Sequence, residues 1–343
     1  MGADQTRRSF FGKTAFLGAS LMSSTEAEGA SMADAVSGSI PRRKLGKTGI
    51  EVSIIGLGGF HLGAADSLDE AKQIVNQALD AGINFFDNAW EYKDGKSEEW
   101  LGAALENRRK DAIVMSKVCT HGRKKQVAML QLEESLRRLR TDHLDVWQIH
   151  EVIYENDPDL IFAPGGAAEA LFEAKKQGKV RLIGFTGHKD PSIHLRMLKH
   201  GFPFDTVQMP LNPLDGTYRS FAEHVLPVAN EQGVAVFGMK SLGGSGEMIR
   251  KGAFTAAEGL RYAMSLPVTV TISGINSLDV LHQNLQVARN FEPMSHAEMA
   301  QLRDRCRTEA ADGHLELFKS TTKYDGDIGR EQHGYPSVQE LPA

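Results

Sequence analysis

The 343-residue sequence predicts an α/β fold, a (β/α)8 TIM barrel with an N-terminal β-hairpin plug and a C-terminal helical extension. Eight short runs rich in Val, Ile and Phe recur from Ile40 onward, each followed by a loop and usually a segment of helical periodicity. Runs that are nearly continuous in apolar residues are typical of parallel strands covered by helices. Eight such units match the usual size of a closed barrel.

The eight predicted strands are apolar in the middle and most have a polar or small residue near the carboxyl end. In chain order they are VSIIGLG (52–58), NFFDNA (84–89), AIVMSK (112–117), LDVWQIH (144–150), VRLIGFTG (180–187), DTVQMP (205–210), VAVFGMK (234–240) and VTVTISG (268–274). Amphipathic stretches such as 68–82 and 126–140 lie between them and predict helices. A doubly wound sheet is the alternative, but its GxGxxG phosphate loop is absent because His61 occupies the third glycine position of the first loop.

Other segments lie outside the eightfold repeat. Residues 43–53 (RKLGKTGIEVS) place a Lys-Thr-Gly turn between two short runs, which predicts the hairpin that plugs the bottom of the barrel. A C-terminal helix is predicted from about Ser295, and the chain becomes polar after Gly313. The tail is expected either to fold over the pocket or to stay disordered. The predicted division is a leader at 1–38, a barrel domain at 39–313 and a polar tail at 314–343.

The N-terminal leader resembles a twin-arginine export signal. Arg7 and Arg8 precede two phenylalanines and a short, mildly apolar stretch, and Ala33-Asp34-Ala35 is one candidate cleavage site. The leader therefore predicts export to the periplasm through the twin-arginine machinery. A disordered basic tail on a cytoplasmic protein is the alternative.

Composition excludes several classes of partner. The net charge is −5 with both signs mixed along the chain, which leaves no basic surface for nucleic acid or an anionic membrane. Cys119 and Cys306 are too few for a disulfide framework, and no Cys/His spacing suggests a zinc site, so no metal is predicted. No apolar run is long enough to span a bilayer. Oligomeric state cannot be predicted from these features.

Four polar residues near the carboxyl ends of neighbouring strands form the candidate catalytic group. Asp87 closes the second predicted strand, Tyr92 follows it, Lys117 closes the third and His150 the fourth. Barrel enzymes place their active sites at this end of the strands. Because a lysine cation favours the phenolate, Lys117 is expected to lower the pKa of Tyr92 from about 10, and Asp87 to keep Lys117 charged. The set suits protonation of a carbonyl oxygen while hydride reaches the carbon.

From Arg43 to Ala288 the sequence resembles the aldo-keto reductase superfamily, as a divergent member. The shared motifs are LGKTGIEVSIIGLGG, GINFFDNAWEYKDGKSEEWLGAAL, SKV, DVWQIHE, IGFTGH, VQMPLNPLD and NSLDVLHQNL. The resemblance implies a barrel that reduces carbonyls with NADP(H) or NAD(H) bound across the strand ends. It also implies that Tyr92 is the general acid, that Lys117 and Asp87 tune it, and that His150 orients the substrate carbonyl.

The resemblance further implies a cofactor site. Thr186 and Gln208 match residues that bind the nicotinamide amide, and Met239 stands where an aromatic ring often stacks. Positions that usually hold cations for the 2′-phosphate of NADP are Gly274 and Val280 here, so NAD(H) rivals NADP(H). The full predicted cofactor set is Gly59, Phe60, Asp87, Thr186, Gly187, His188, Gln208, Met239, Ser241, Leu242, Gly243, Gly274, Asn276, Gln283 and Asn284.

Phe60, Trp90, Glu91 and His150 are expected to line the substrate pocket. Glu91 either sits in that pocket, where it would favour a hydroxylated or cationic substrate, or faces solvent. The leading functional hypothesis is an NAD(P)(H)-dependent oxidoreductase that reduces an aldehyde or ketone, or oxidises the alcohol. A catalytically weak sensor or accessory subunit that binds the cofactor is the alternative, and a metal-dependent hydrolase or isomerase is a third hypothesis.

Overall fold

The computed structural model describes residues 38–118, 123–244 and 246–341. The export prediction for Arg7 and Arg8 concerns residues outside these ranges. Within them, no helix is both long enough and apolar enough to cross a membrane.

Eight parallel strands close into a barrel, as predicted. Each of the eight predicted runs overlaps one barrel strand, and each strand pairs with the next along the chain until the last pairs with the first. The barrel strands are β3 (Ile55–Gly58), β4 (Phe85–Asp87), β5 (Ile113–Val118), β6 (Leu144–Ile149), β7 (Val180–Thr186), β8 (Thr206–Pro210), β9 (Ala235–Met239) and β10 (Val270–Gly274). The predicted (β/α)8 fold is therefore confirmed.

The predicted hairpin precedes the barrel. Strands β1 (Arg42–Lys44) and β2 (Glu51–Ser53) pair in antiparallel fashion, and Gly49 in the turn adopts a φ of 77°. Leu45 and Val52 are fully buried and pack with apolar residues from the barrel interior, among them Phe85 and Phe237. Their burial makes the hairpin a plug for the interior.

Helices connect most of the strands and cover the outside of the barrel. In the helix Lys125–Arg138, Leu132 and Leu136 are buried whereas Leu130 is exposed, as the helical spacing predicts. The helices are α1 (Gly59–Leu62), α2 (Leu68–Asp80), α3 (Lys96–Ala104), α4 (Lys125–Arg138), α5 (Asp157–Phe162), α6 (Ala167–Lys176), α7 (Pro191–Lys199), α8 (Phe221–His224), α9 (Leu226–Glu231), α10 (Glu247–Arg250), α11 (Ala256–Ser265), α12 (Leu278–Arg289), α13 (His296–Ala310), α14 (Leu317–Ser320) and α15 (Asp327–Gln332).

The polar C-terminal segment folds against the barrel. It contains α14, α15 and two short 3-10 helices at 322–324 and 338–340. The fully buried Lys319 ammonium donates to Asp215, 2.7 Å away, and to Glu316, 2.9 Å away. The segment is folded in the structure, and its predicted position over the pocket stays a prediction.

Candidate active site

A tightly turned loop between β4 and α3 carries Tyr92. Lys93, Asp94 and Gly95 have positive φ values of 55°, 56° and 86°, so three successive residues adopt the left-handed conformation. Arg138 on α4 donates to the carbonyl oxygen of Trp90 at 2.8 Å and fixes the loop from outside the barrel. The turn brings the chain back over the strand ends immediately after Tyr92.

The four candidate catalytic residues lie together at the carboxyl ends of β4, β5 and β6. The Lys117 ammonium forms a buried ion pair with Asp87 and lies 3.4 Å from the Tyr92 hydroxyl. The Tyr92 and His150 rings are 5.6 Å apart between centroids, in an edge-to-face arrangement. The structure therefore brings the predicted catalytic group into contact.

The pKa of Tyr92 differs from the sequence-based expectation. Burial raises it well above its ordinary value, and the nearby carboxylates of Asp87 and Glu91 raise it further. Lys117 was expected to lower this pKa, but its charge is already matched by Asp87 at shorter range. In this geometry Tyr92 keeps its proton at neutral pH, which is the state that a proton donor needs.

His150 is held from two sides. Arg123 donates 2.7 Å hydrogen bonds to the carbonyl oxygens of His150 and Glu151, and is itself paired with Asp157 at 2.8 Å. On the ring side, Nδ1 of His150 contacts Oε1 of Glu91. The Glu91 side chain is only 18% exposed, so it lies in the site instead of facing solvent.

The two aromatic residues assigned to the substrate pocket have different surroundings. Phe60 is half exposed, and its ring lies 5.5 Å from that of Tyr92. Trp90, by contrast, donates from its indole nitrogen to Glu134 at 2.8 Å, and Arg138 lies 5.5 Å from its ring. These two α4 residues hold one side of the Trp90 ring, and its place in the substrate pocket stays a prediction.

The residues predicted to hold the nicotinamide end lie side by side. Thr186 and Gln208 are buried register partners at the ends of β7 and β8. Among the residues that the structure describes, Gln208 Oε1 and His188 Nε2 are buried without a hydrogen-bond partner. A buried acceptor of this kind suits the amide N–H of a nicotinamide. Burial, followed by the charge of Lys240, holds the pKa of His188 well below its usual value, so this ring is neutral.

The other predicted cofactor residues form the rim of the strand ends. Gly59 allows close approach, because a Cβ there would lie 2.5 Å from the Asp87 carbonyl oxygen, and one on Gly274 would meet the His61 ring at 2.3 Å. The amide of Asn284 donates to Ser273 at 2.9 Å. Met239, Leu242 and Gly274 are partly buried; Ser241, Gly243 and Gly187 are buried; Asn276 and Gln283 are exposed.

Several residues near the carboxyl ends of the strands were not among those predicted for the site. Lys240 follows β9, and its ammonium lies 5.2 Å from the rings of Phe318 and Tyr324, both from the C-terminal segment. Arg123 was missed because a lone arginine before a helix ordinarily faces solvent. Nothing in the local sequence marks it as buried, apart from the acidic residues that follow β6.

Comparison with known proteins agrees with this geometry. Residues 54–254, more than half of the chain, match the Aldo/keto reductase family. The chain is 24% identical over 317 residues to an uncharacterized oxidoreductase of Bacillus subtilis (strain 168), YqkF, covering 80% of this chain and 99% of that protein. The aldo-keto reductase AKR11C1 from Bacillus halodurans, in its holo form, superposes with a TM-score of 0.66 at 25% identity, over 78% of this chain and 96% of that one.

An aldo-keto reductase from Klebsiella pneumoniae in complex with NADPH superposes with a TM-score of 0.63 at 22% identity, over 76% of this chain and 93% of that chain. At that identity the superposition establishes the fold alone. The family match supports an NAD(P)H-dependent oxidoreductase that binds a nicotinamide cofactor, as the sequence predicted. On the family match, the closed barrel and the grouped strand-end residues, this chain belongs to the aldo/keto reductase family.

Proposed function

We propose that this protein reduces the carbonyl of a small aldehyde or ketone, and oxidises the corresponding alcohol in reverse, with Tyr92 as the general acid or base. The observation that carries the proposal is the position of the Tyr92 hydroxyl, which lies 3.4 Å from the Lys117 ammonium, with the Tyr92 ring against that of His150. The nicotinamide cofactor, when bound, supplies or accepts the hydride.

The residues around Tyr92 control where its proton resides. Burial and the neighbouring carboxylates keep the proton on Oη before the reaction. As negative charge develops on the carbonyl oxygen, that oxygen becomes the stronger base and takes the proton. The tyrosinate then lies beside the Lys117 ammonium, whose attraction stabilises the new charge.

Thr186, Gln208 and the buried residues after β9 would hold the cofactor. The unpartnered Oε1 of Gln208 supports this assignment, because the carboxamide group offers the N–H donors that it needs. Lys240, at the same rim, is a cation that could meet a phosphate or a polar substrate. We propose that NADP(H) and NAD(H) are both candidate cofactors.

The decisive experiment replaces Tyr92 by Phe and measures turnover of a test aldehyde together with cofactor affinity. Loss of the only proposed proton donor should lower kcat/KM by about a hundredfold or more, while the dissociation constant of the cofactor changes little. Undiminished turnover in Tyr92→Phe would overturn the assignment. Tight cofactor binding without turnover by the unmodified protein, across aldehydes and sugars, would favour the sensor or accessory-subunit alternative.

A further inference from the structure

We propose that Tyr324, on the C-terminal segment, forms the wall of the substrate pocket across from Tyr92 and hydrogen-bonds a hydroxyl group of the substrate. The substrate class that this arrangement favours is a small aldehyde or ketone with hydroxyl groups on the carbons next to its carbonyl. The inference rests on the proposed carbonyl reduction and adds to it a residue that selects among carbonyl compounds. Tyr324 lies well beyond Asn284, the last residue that the sequence predicted for the site.

The C-terminal segment is anchored to the loops that follow β7 and β8. Lys189, in the loop after β7, donates to the carbonyl oxygen of Thr321 at 2.6 Å and to Asp325 at 2.5 Å. Lys319 donates to Asp215, in the loop after β8, at 2.7 Å. In the closed barrel β8 lies directly across from β4. The segment is therefore held on the opposite side of the rim from the loop between β4 and α3.

The same stretch of chain also reaches the ends of β9 and β6. Lys240 directly follows β9, and its ammonium lies 5.2 Å from the centre of the Tyr324 ring. Two residues after Tyr324, a Cβ on Gly326 would lie 3.5 Å from Oε2 of Glu151, the residue that follows His150. The segment thus runs along the rim from β9 to β6, where it meets the candidate catalytic group.

Three contacts hold the Tyr324 ring in place and leave its hydroxyl available. Besides the Lys240 cation, His188 and Phe318 meet the ring edge-on, with centroids 5.7 Å and 5.9 Å away. The Tyr324 hydroxyl forms no hydrogen bond with the part of the chain that the structure describes, and the residue is 40% exposed. A phenol fixed through its ring can both donate to and accept from a hydroxyl group of a ligand.

Tyr324 lies close enough to Tyr92 to act on its charge. Burial is the largest cause of the raised pKa of Tyr92, followed by Asp87, Glu91 and Glu151, and Tyr324 adds a smaller effect of the same sign. The rings of the two tyrosines contact different neighbours. They therefore form two separate walls of the mouth, and a substrate whose carbonyl is at Tyr92 extends toward Tyr324.

This second wall selects for hydroxyl groups without taking part in the chemistry. Tyr324 keeps its proton, and the hydride and proton transfers remain those of the proposed reaction. A site that hydrogen-bonds a substrate hydroxyl disfavours the analogue that lacks it. Because Tyr324 is partly exposed, water can pair with its hydroxyl in that case, so the discrimination amounts to one net hydrogen bond.

Glyceraldehyde and propionaldehyde are the matched probes, because both are three-carbon aldehydes and only glyceraldehyde carries further hydroxyl groups. Tyr324→Phe keeps the ring and its contact with Lys240 and removes only the hydroxyl. We expect kcat/KM for glyceraldehyde to fall about fivefold to tenfold in Tyr324→Phe, and that for propionaldehyde to change by less than about twofold. Each value is compared with that of the wild type for the same aldehyde and the same cofactor.

Tyr335→Phe is the matched control, because it removes a hydroxyl from another partly exposed tyrosine of the segment, whose ring packs against Tyr154. It should leave both values unchanged. Equal values for wild type and Tyr324→Phe with glyceraldehyde would overturn the proposal. An equal loss with both aldehydes would also overturn it, because that result indicates a purely structural role. If the wild type reduces propionaldehyde and either of these results is found, this inference fails and the proposed function stands. Turnover of neither aldehyde by the wild type would count against both.

Discussion

Lys117 is the residue on which the catalytic group depends. Its side chain is 1% exposed and its ammonium contacts Asp87, the Asn88 carbonyl oxygen at 2.8 Å and the Tyr92 hydroxyl. A charge in such a place is tolerated only because a partner and further acceptors surround it. Because the side chains of Lys117 and Asp87 are both shielded from water, the attraction between their charges is stronger than it would be in solution.

Removal of one partner of this ion pair should cost more than removal of both. Lys117→Met leaves the Asp87 carboxylate buried and unpaired, and we expect the free energy of unfolding to fall by about 3–5 kcal/mol. The double variant Asp87→Leu/Lys117→Met should recover much of that stability and still be inactive. Urea unfolding and aldehyde turnover measure the two effects. Equal destabilisation by the single and double variants would contradict this account.

At the scale of single residues, the sequence predicts which residues lie at the site better than it predicts what surrounds each of them. Asp87, Lys117 and His150 are recognisable because each polar residue closes an apolar strand, and parallel strands bring such residues to one rim. The direction of the Tyr92 pKa shift and the orientation of Trp90 are not recognisable. Both depend on burial and on contacts with distant residues, such as Glu134 on α4 for Trp90.

At the scale of elements, the turn into α12 bears on cofactor choice. Residues 274–283 contain no lysine or arginine, and Asp279 lies in the first turn of α12. A 2′-phosphate at this turn would lack a cationic partner and would face a carboxylate. The element therefore favours a cofactor without that phosphate.

We accordingly expect NADH to support turnover at least as well as NADPH. Val280→Arg should raise kcat/KM with NADPH about tenfold, since a charge-assisted hydrogen bond contributes roughly 1.5–3 kcal/mol. Steady-state kinetics with both cofactors measure the ratio. Gln286→Arg adds the same charge to an exposed position six residues further along α12 and should leave the ratio unchanged. A wild-type preference for NADPH, with no gain in Val280→Arg, would disprove the assignment of this turn.

The barrel strands could be predicted from the sequence, whereas the folding of the C-terminal segment could not. The eight barrel strands are predicted because their apolar runs are local and contiguous. The segment after Gly313 is polar by composition, which leaves its folding open. Its folded form buries Leu315 and Phe318, and its charges pair over long separations, as Lys319 does with Asp215 and Asp325 with Lys189. Pairings across about a hundred positions leave no local pattern.

At the scale of the whole molecule, the fold buries two histidines, His188 and His194, in their neutral form. His188 follows β7 and packs against Phe318 and Tyr324, and His194 on α7 is fully buried between Phe185 and Phe221. Burial lowers the pKa of both rings, that of His194 to about 4. The folded state is therefore linked to pH through residues that the reaction does not use directly.

The sign of this linkage predicts loss of stability on mild acidification. Below pH 6.5 the unfolded chain protonates His194 while the folded chain does not, so falling pH favours unfolding until about pH 4. The contribution of His194 to the free energy of unfolding should fall by roughly 3 kcal/mol across that interval. His194→Gln, whose amide can still donate to the Gln208 carbonyl oxygen, should flatten the dependence. Urea midpoints between pH 7.5 and 4.5 measure it, with exposed His296→Gln as the control. A wild-type slope that His194→Gln leaves intact would show that other groups carry the linkage.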